Sequence, residues 1–146
     1  MAWDIYAVRE EPRRPRRRSL ANSAWSFDMP RILLVEDDAE VRILVEHVLL
    51  DADHEVDAAE TVDDGSALLG CNDYDLVITD GRLQDGTGMM LADEARERGI
   101  AALIMTGYAF VLQQAGVNLA RYDVLLKPIS PEELLDSVEK ALATRS

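Results

Sequence analysis

The sequence predicts an α/β domain: a doubly wound, five-stranded parallel sheet with helices on both faces. Two observations carry this. Apolar runs of three to five residues alternate with helical periods from residue 30 onward. The strongest runs are also continuous rather than alternating, as strands covered on both faces must be. Right-handed crossovers then leave few arrangements.

Ile32-Leu33-Leu34-Val35 is the first strand, and Val41, Leu44, Val45, Val48 and Leu49 form one face of the helix after it. Glu55-Val56-Asp57-Ala58 is a weaker second strand, with a short helix over Thr61–Leu69. Leu76-Val77-Ile78-Thr79 is the third strand, closed by Asp80-Gly81. A helix over Met89–Arg98 follows, with Gly99 where a helix-terminating glycine belongs. Ala102–Met105 is the fourth strand, Val111–Ala115 a short helix and Val124-Leu125-Leu126 the fifth strand. Ser130-Pro131-Glu132-Glu133 reads as a capping box with proline at the first helical position, followed by a buried stripe of Leu134, Leu135, Val138, Ala141 and Leu142.

Composition and charge bound the function. Hydrophobic residues make up 48% and charged residues 29% of 146, which suits one folded domain. Residues 1–28 carry six arginines against four acids, a net of +2, so residues 29–146 carry −15 of the total −13. A domain that acidic repels nucleic acid and suits a divalent cation. Residues 1–28 lack any sustained period and are expected to be a disordered basic tail, or an extension upstream of a start at Met29; residues 29–146 form the domain. Cys71 is the single cysteine and is expected to be a small, partly buried side chain in a reducing compartment. No apolar run approaches the ~18 residues of a membrane span, and the basic N-terminus has no apolar signal core, so a cytoplasmic location is expected. His47 and His54 have no catalytic partner in sequence and are read as surface residues.

The residues with chemistry stand at strand ends. Glu36, Asp37 and Asp38 follow the first strand, Asp80 ends the third, Thr106 follows the fourth and Lys127 the fifth. In such sheets ligands bind at the carboxyl edge, so these groups are expected to converge. Packed carboxylates repel one another unless a cation sits among them, and Mg²⁺ suits hard oxygen ligands. One carboxylate can then attack phosphorus, while the cation, a lysine and a hydroxyl neutralise the transferring oxygens. Each residue alone has a plainer reading, as a helix cap, a turn or a surface lysine. The joint pattern is what points to one site.

RILLVEDD, VITDGRLQDGTG, IMTGY and LLKP resemble the motifs of the CheY-like response-regulator receiver domain over residues 30–144. The resemblance implies a flavodoxin-like fold of strand order 2-1-3-4-5. It implies phosphorylation of Asp80 by a phosphohistidine donor, on a sensor histidine kinase or a histidine phosphotransfer protein. It also implies Mg²⁺ on Glu36, Asp37, Asp80 and the backbone carbonyl of Arg82, roles for Thr106 and Lys127, and a cis peptide before Pro128. Two positions depart from the family. Gln84 stands where many receivers have proline, and Val124 where many have an aromatic switch residue; Tyr108 is the candidate substitute. Arg82 and Tyr108, each two residues past a site residue, are expected to flank the approach of water and slow phosphate loss. Because the sequence closes soon after its last helix, a single-domain regulator is expected, signalling through an unknown downstream protein without a DNA-binding output. The protein would be a phosphoacceptor rather than an enzyme. Two competing readings are an interaction module that no longer uses phosphate, which the complete residue set opposes, and nucleic-acid association through the arginine-rich tail, which the −15 domain opposes.

Overall fold

The computed structural model describes residues 29–114 and 116–144, so the expected tail over 1–28 lies outside the described residues. The main elements, in order, are β1 (Arg31–Val35), α1 (Ala39–Asp51), β2 (Glu55–Ala59), α2 (Val62–Cys71) and β3 (Leu76–Asp80). A two-residue-wide hairpin, β4 (Arg82–Leu83) and β5 (Gly86–Thr87), follows. Then come α3 (Met89–Glu97), β6 (Ala101–Thr106), α4 (Ala109–Gln114), a 3₁₀ turn at Leu119–Arg121, β7 (Asp123–Leu126) and α5 (Pro131–Thr144). The sheet is parallel throughout, in the order β2-β1-β3-β6-β7. Counting only its own five strands, that is 2-1-3-4-5, as the resemblance implies.

Both faces are covered. Ile32, Leu34, Leu76, Ile78, Leu103 and Met105 pack under α1 and α5. Leu33, Val35 and Val77 pack under α2 and α3, and Ile104 under α3 and α4. Each such aliphatic side chain removed from water contributes roughly 1.5–3 kcal/mol, which explains why the central strands read as unbroken apolar runs. α2 lies so close to the sheet that a Cβ at Gly65 would sit 2.9 Å from Val35 Cγ2.

The helix ends follow local chemistry. Asp38 caps α1, accepting from the amides of Glu40 (2.9 Å) and Val41 (3.2 Å); such a cap contributes about 1 kcal/mol. Gly99 sits at φ +77° just beyond α3, as expected for its glycine. Ser130 and Glu133 form the capping box of α5 in both directions.

Four expectations need correction. Leu44 is 51% exposed, because the buried face of α1 is Val41, Val45, Val48 and Leu49, one row round from it. Cys71 is exposed, being the last residue of α2 where the helix leaves the core. His54 is half-buried rather than a surface residue: it follows the last turn of α1 closely, its amide donating to the Leu49 carbonyl. The short helix of Val111–Ala115 begins at Ala109 instead, after the backbone of Tyr108 is tied to Thr106.

Candidate functional site

The parallel register brings the strand ends level. Leu34 pairs with Ile78, Asp80 with Met105 and Thr106 with Leu126, so the residues just beyond emerge along one edge. Glu36 is fixed by its amide, which donates to the Ala59 carbonyl at 3.0 Å, and its side chain is fully buried. Asp80 is 4% exposed. Carboxylate oxygens of Glu36, Asp37 and Asp80 all lie within 4.8 Å of one another. Lys127 crosses from the end of β7 and donates to Glu36 Oε1 at 2.7 Å and Asp80 Oδ2 at 3.1 Å. With all three carboxyls ionised, three carboxylates against one ammonium leave the cluster two negative charges in excess, which a divalent cation matches.

The electrostatics carry the same signature. Burial pushes the Glu36 carboxyl up to about 7, with the Asp80 charge adding to the rise while Lys127 and the Asp38 amide oppose it. Burial disfavours charge on Lys127 as well, but the Glu36 and Asp80 carboxylates outweigh it and hold the ammonium above its ordinary range. The protein thus keeps carboxylates together at a cost that a hard cation would relieve, and the donor set suits Mg²⁺.

Thr106 is fully buried, and its Oγ1 accepts the Tyr108 amide at 2.9 Å, which leaves its own O–H to donate elsewhere. The Arg82 amide donates to Asp80 Oδ1 at 3.2 Å, placing the Arg82 backbone beside the carboxylate. The Arg82 guanidinium stacks 4.8 Å from the Tyr108 ring centroid, so the two residues form one wall. An open cleft of about 390 Å³ is lined by Glu36, Asp37, Asp80, Arg82, Tyr108 and Lys127. The peptide before Pro128 is cis, as expected. Asp38 reaches the cleft rim but spends its carboxylate on the α1 cap. Val124 is half-buried against the cluster of Met89, Ala92, Ile104, Leu112 and Leu119, while Tyr108 is 52% exposed at the rim.

Two supports escaped the sequence. Gly88 packs directly on the Asp80 carbonyl, where a Cβ would collide with main chain. Asp85 accepts the amides of Val62 (2.8 Å) and Asp63 (3.1 Å), so the loop that bears Arg82 is pinned to the start of α2. Neither shows in a linear pattern, because the partners meet only once the chain has folded. The nearest signal was the glycine-rich DGTG itself.

The family profile described as response regulator receiver domain matches residues 32–139. The chain belongs to the response-regulator receiver family. A receiver of this kind is the response-regulator domain of two-component systems. Curated relatives agree: the chain is 30% identical over 108 residues to the transcriptional regulatory protein DltR of Streptococcus agalactiae, covering 72% of this chain and 48% of that protein. It is 34% identical over 122 residues to PmrA of Pectobacterium parmentieri, covering 80% and 53%. The receiver thus spans about half the length of these relatives. Among solved structures, a response regulator receiver protein from Sinorhizobium medicae is 28% identical, with a TM-score of 0.71 over 83% of this chain and 100% of that one. TrrA of Thermotoga maritima, solved in complex with Mg²⁺ and beryllofluoride, is 26% identical with a TM-score of 0.69, over 77% of this receiver and 99% of that chain.

Proposed function

We propose that this receiver accepts a phosphoryl group on Asp80 from a phosphohistidine of a histidine kinase or phosphotransfer protein, with Mg²⁺ held by Glu36, Asp37, Asp80 and the Arg82 carbonyl, and signals through altered protein contacts. The observation that carries the reading is the cluster of three carboxylates within 4.8 Å bridged by Lys127. An Asp80 oxygen attacks phosphorus as the P–N bond breaks, and the imidazole nitrogen keeps that electron pair. Lys127 is close enough to follow the charge from carboxylate to phosphoryl oxygen. The Thr106 hydroxyl, already fixed by the Tyr108 amide, has a proton to donate to a second oxygen. Mg²⁺, when bound, would supply charge neutralisation to the transferring group.

Incubation with acetyl phosphate and Mg²⁺, read by intact mass, is expected to add one phosphoryl group to the parent and none to Asp80→Asn. Equal labelling of both proteins would sink the assignment.

A further inference from the structure

The hairpin that carries Arg82 is too short to hold itself. β4 and β5 are two residues each, pairing Arg82 with Thr87 and Leu83 with Gly86, and so small a ribbon has little stability of its own. Its tip reads Gln84-Asp85-Gly86, with no proline and one glycine, so the backbone there is free unless something holds it. The base is held: the Arg82 amide donates to Asp80 Oδ1 and the Gly88 amide to the Gly81 carbonyl, both at 3.2 Å. The middle is held by Leu83, buried in the same cluster as Val62 and Leu69. At the tip the hold is Asp85, whose two carboxylate oxygens accept the Val62 amide at 2.8 Å and the Asp63 amide at 3.1 Å.

α2 has its own cap without this contact. Thr61 Oγ1 accepts the Asp64 amide at 3.1 Å, and the Thr61 carbonyl accepts the Gly65 amide at 2.9 Å. Asp63 and Asp64 already set negative charge against the positive end of the helix. The helix is also a firm anchor, since Leu69 is fully buried and Gly65 is pressed on Val35. What the Asp85 contact adds lies therefore on the hairpin side, where it ties a weak ribbon to a helix packed on the sheet. Gln84 lines the cleft and Asp85 does not, so the Asp85 carboxylate serves the site through Arg82 rather than directly.

We propose that Asp85 is a positioning residue for the phosphoryl site: by clamping the hairpin tip on the first two amides of α2, it holds the Arg82 backbone beside Asp80, ready to bind Mg²⁺. This rests on the reading of the Arg82 carbonyl as a metal ligand. Releasing the tip lets the hairpin take positions in which that carbonyl is elsewhere, and apparent affinity falls with the fraction that stays in place. A cap contact shifts an equilibrium by about fivefold, so Mg²⁺ binding should weaken roughly three- to fivefold without it.

Asp85→Ala, Asp85→Asn and Thr61→Ala are compared with the parent as full chains. Melting temperature in chelator reads stability, and its rise with Mg²⁺ concentration gives the apparent dissociation constant of the metal. Asp85→Ala should weaken Mg²⁺ by the stated factor and slow labelling by acetyl phosphate at subsaturating Mg²⁺, with saturating Mg²⁺ restoring the rate. Thr61→Ala also removes a cap from α2 but leaves the hairpin tied, so it should lose similar stability in chelator and keep the parent's Mg²⁺ affinity. Asp85→Asn loses the charge and keeps one acceptor, so its affinity should fall between parent and Asp85→Ala; it carries the comparison with Thr61→Ala should Asp85→Ala fail to fold. Parental Mg²⁺ affinity in Asp85→Ala would overturn the proposal. Equal weakening in Thr61→Ala would overturn it by making the effect a general loosening of α2, and equal weakening in Asp85→Asn and Asp85→Ala by making it one of charge. A parent whose melting temperature ignores Mg²⁺ would instead sink the metal reading itself, and this inference with it.

Discussion

Replacing Asp37 by Asn should stabilise the metal-free protein and destabilise it relative to the parent when Mg²⁺ is present. Asp37 shares a 4.8 Å cluster with Glu36 and Asp80, and the lysine that bridges the other two donates to neither of its oxygens. At that separation each like-charged pair costs about 3.5 kcal/mol at an effective dielectric of about 20. Asp37 is half-exposed, so solvent and salt reduce the sum of two such pairs to about 1–2 kcal/mol. The neutral amide removes that repulsion at nearly constant volume. Without metal, the expected gain is a rise in melting temperature of roughly 3–5 °C. With Mg²⁺ at about a hundredfold above its dissociation constant the parent gains about 2.7 kcal/mol, while a variant bound about a hundredfold more weakly for want of one ligand gains only about 0.4 kcal/mol, so the order reverses. Asp38→Asn is the control: asparagine caps a helix about as well as aspartate, so neither stability nor Mg²⁺ response should change much. The assay is thermal unfolding of all three proteins in chelator and in saturating Mg²⁺. A fall in stability of Asp37→Asn in chelator, or an equal Mg²⁺ gain in variant and parent, would refute the reasoning.

Three further outcomes are expected. Gly88→Ala should cost roughly 1–3 kcal/mol in urea unfolding and impair labelling by acetyl phosphate, because the new methyl group meets the Asp80 carbonyl; unchanged stability would show that the loop gives way freely. Arg82→Ala and Tyr108→Ala should each lose phosphate faster than the parent, since either change opens the stacked wall beside the cleft; release rates no faster than the parent would end the shielding argument. Burial holds His54 below its ordinary 6.5, so the unfolded chain takes up a proton first on acidification. Its contribution is therefore complete above pH 6.5 and is lost as pH falls below it, with a slope bounded by about 1.4 kcal/mol per pH unit. His54→Asn should flatten the stability profile between pH 5 and about 7, and identical profiles would contradict this.

Much of the molecule is legible in the sequence, and the reasons are physical. β1, β3 and β6 are buried on both faces, so their apolar runs leave a direct trace. Glu36, Asp80, Thr106 and Lys127 could be gathered in advance because parallel strands emerge together at one edge. What escaped depends on contacts distant in sequence. The two-residue strands β4 and β5 are too short for any period. The buried set of Arg31, Asp57 and Tyr74, joined at 2.7–2.8 Å at the far edge of the sheet, looked like ordinary polar residues. Leu44 fits a helical period as well as Val45 does, and only the packing of α1 on the sheet tells which row is inside. His54 looked like a loop residue, yet its Nδ1 is buried with no hydrogen-bond partner among the described residues.

The central claim is that Asp80, among several neighbouring carboxylates, is the group that takes the phosphoryl. Only chemistry that marks the residue itself separates it from Glu36 and Asp37. The protein should be phosphorylated with acetyl phosphate and Mg²⁺, reduced with borohydride to convert an acyl phosphate to the alcohol, and mapped by peptide mass spectrometry. The account predicts homoserine at position 80 and unmodified carboxyls at positions 36, 37 and 38. Reduction at any of those three with position 80 intact would contradict it.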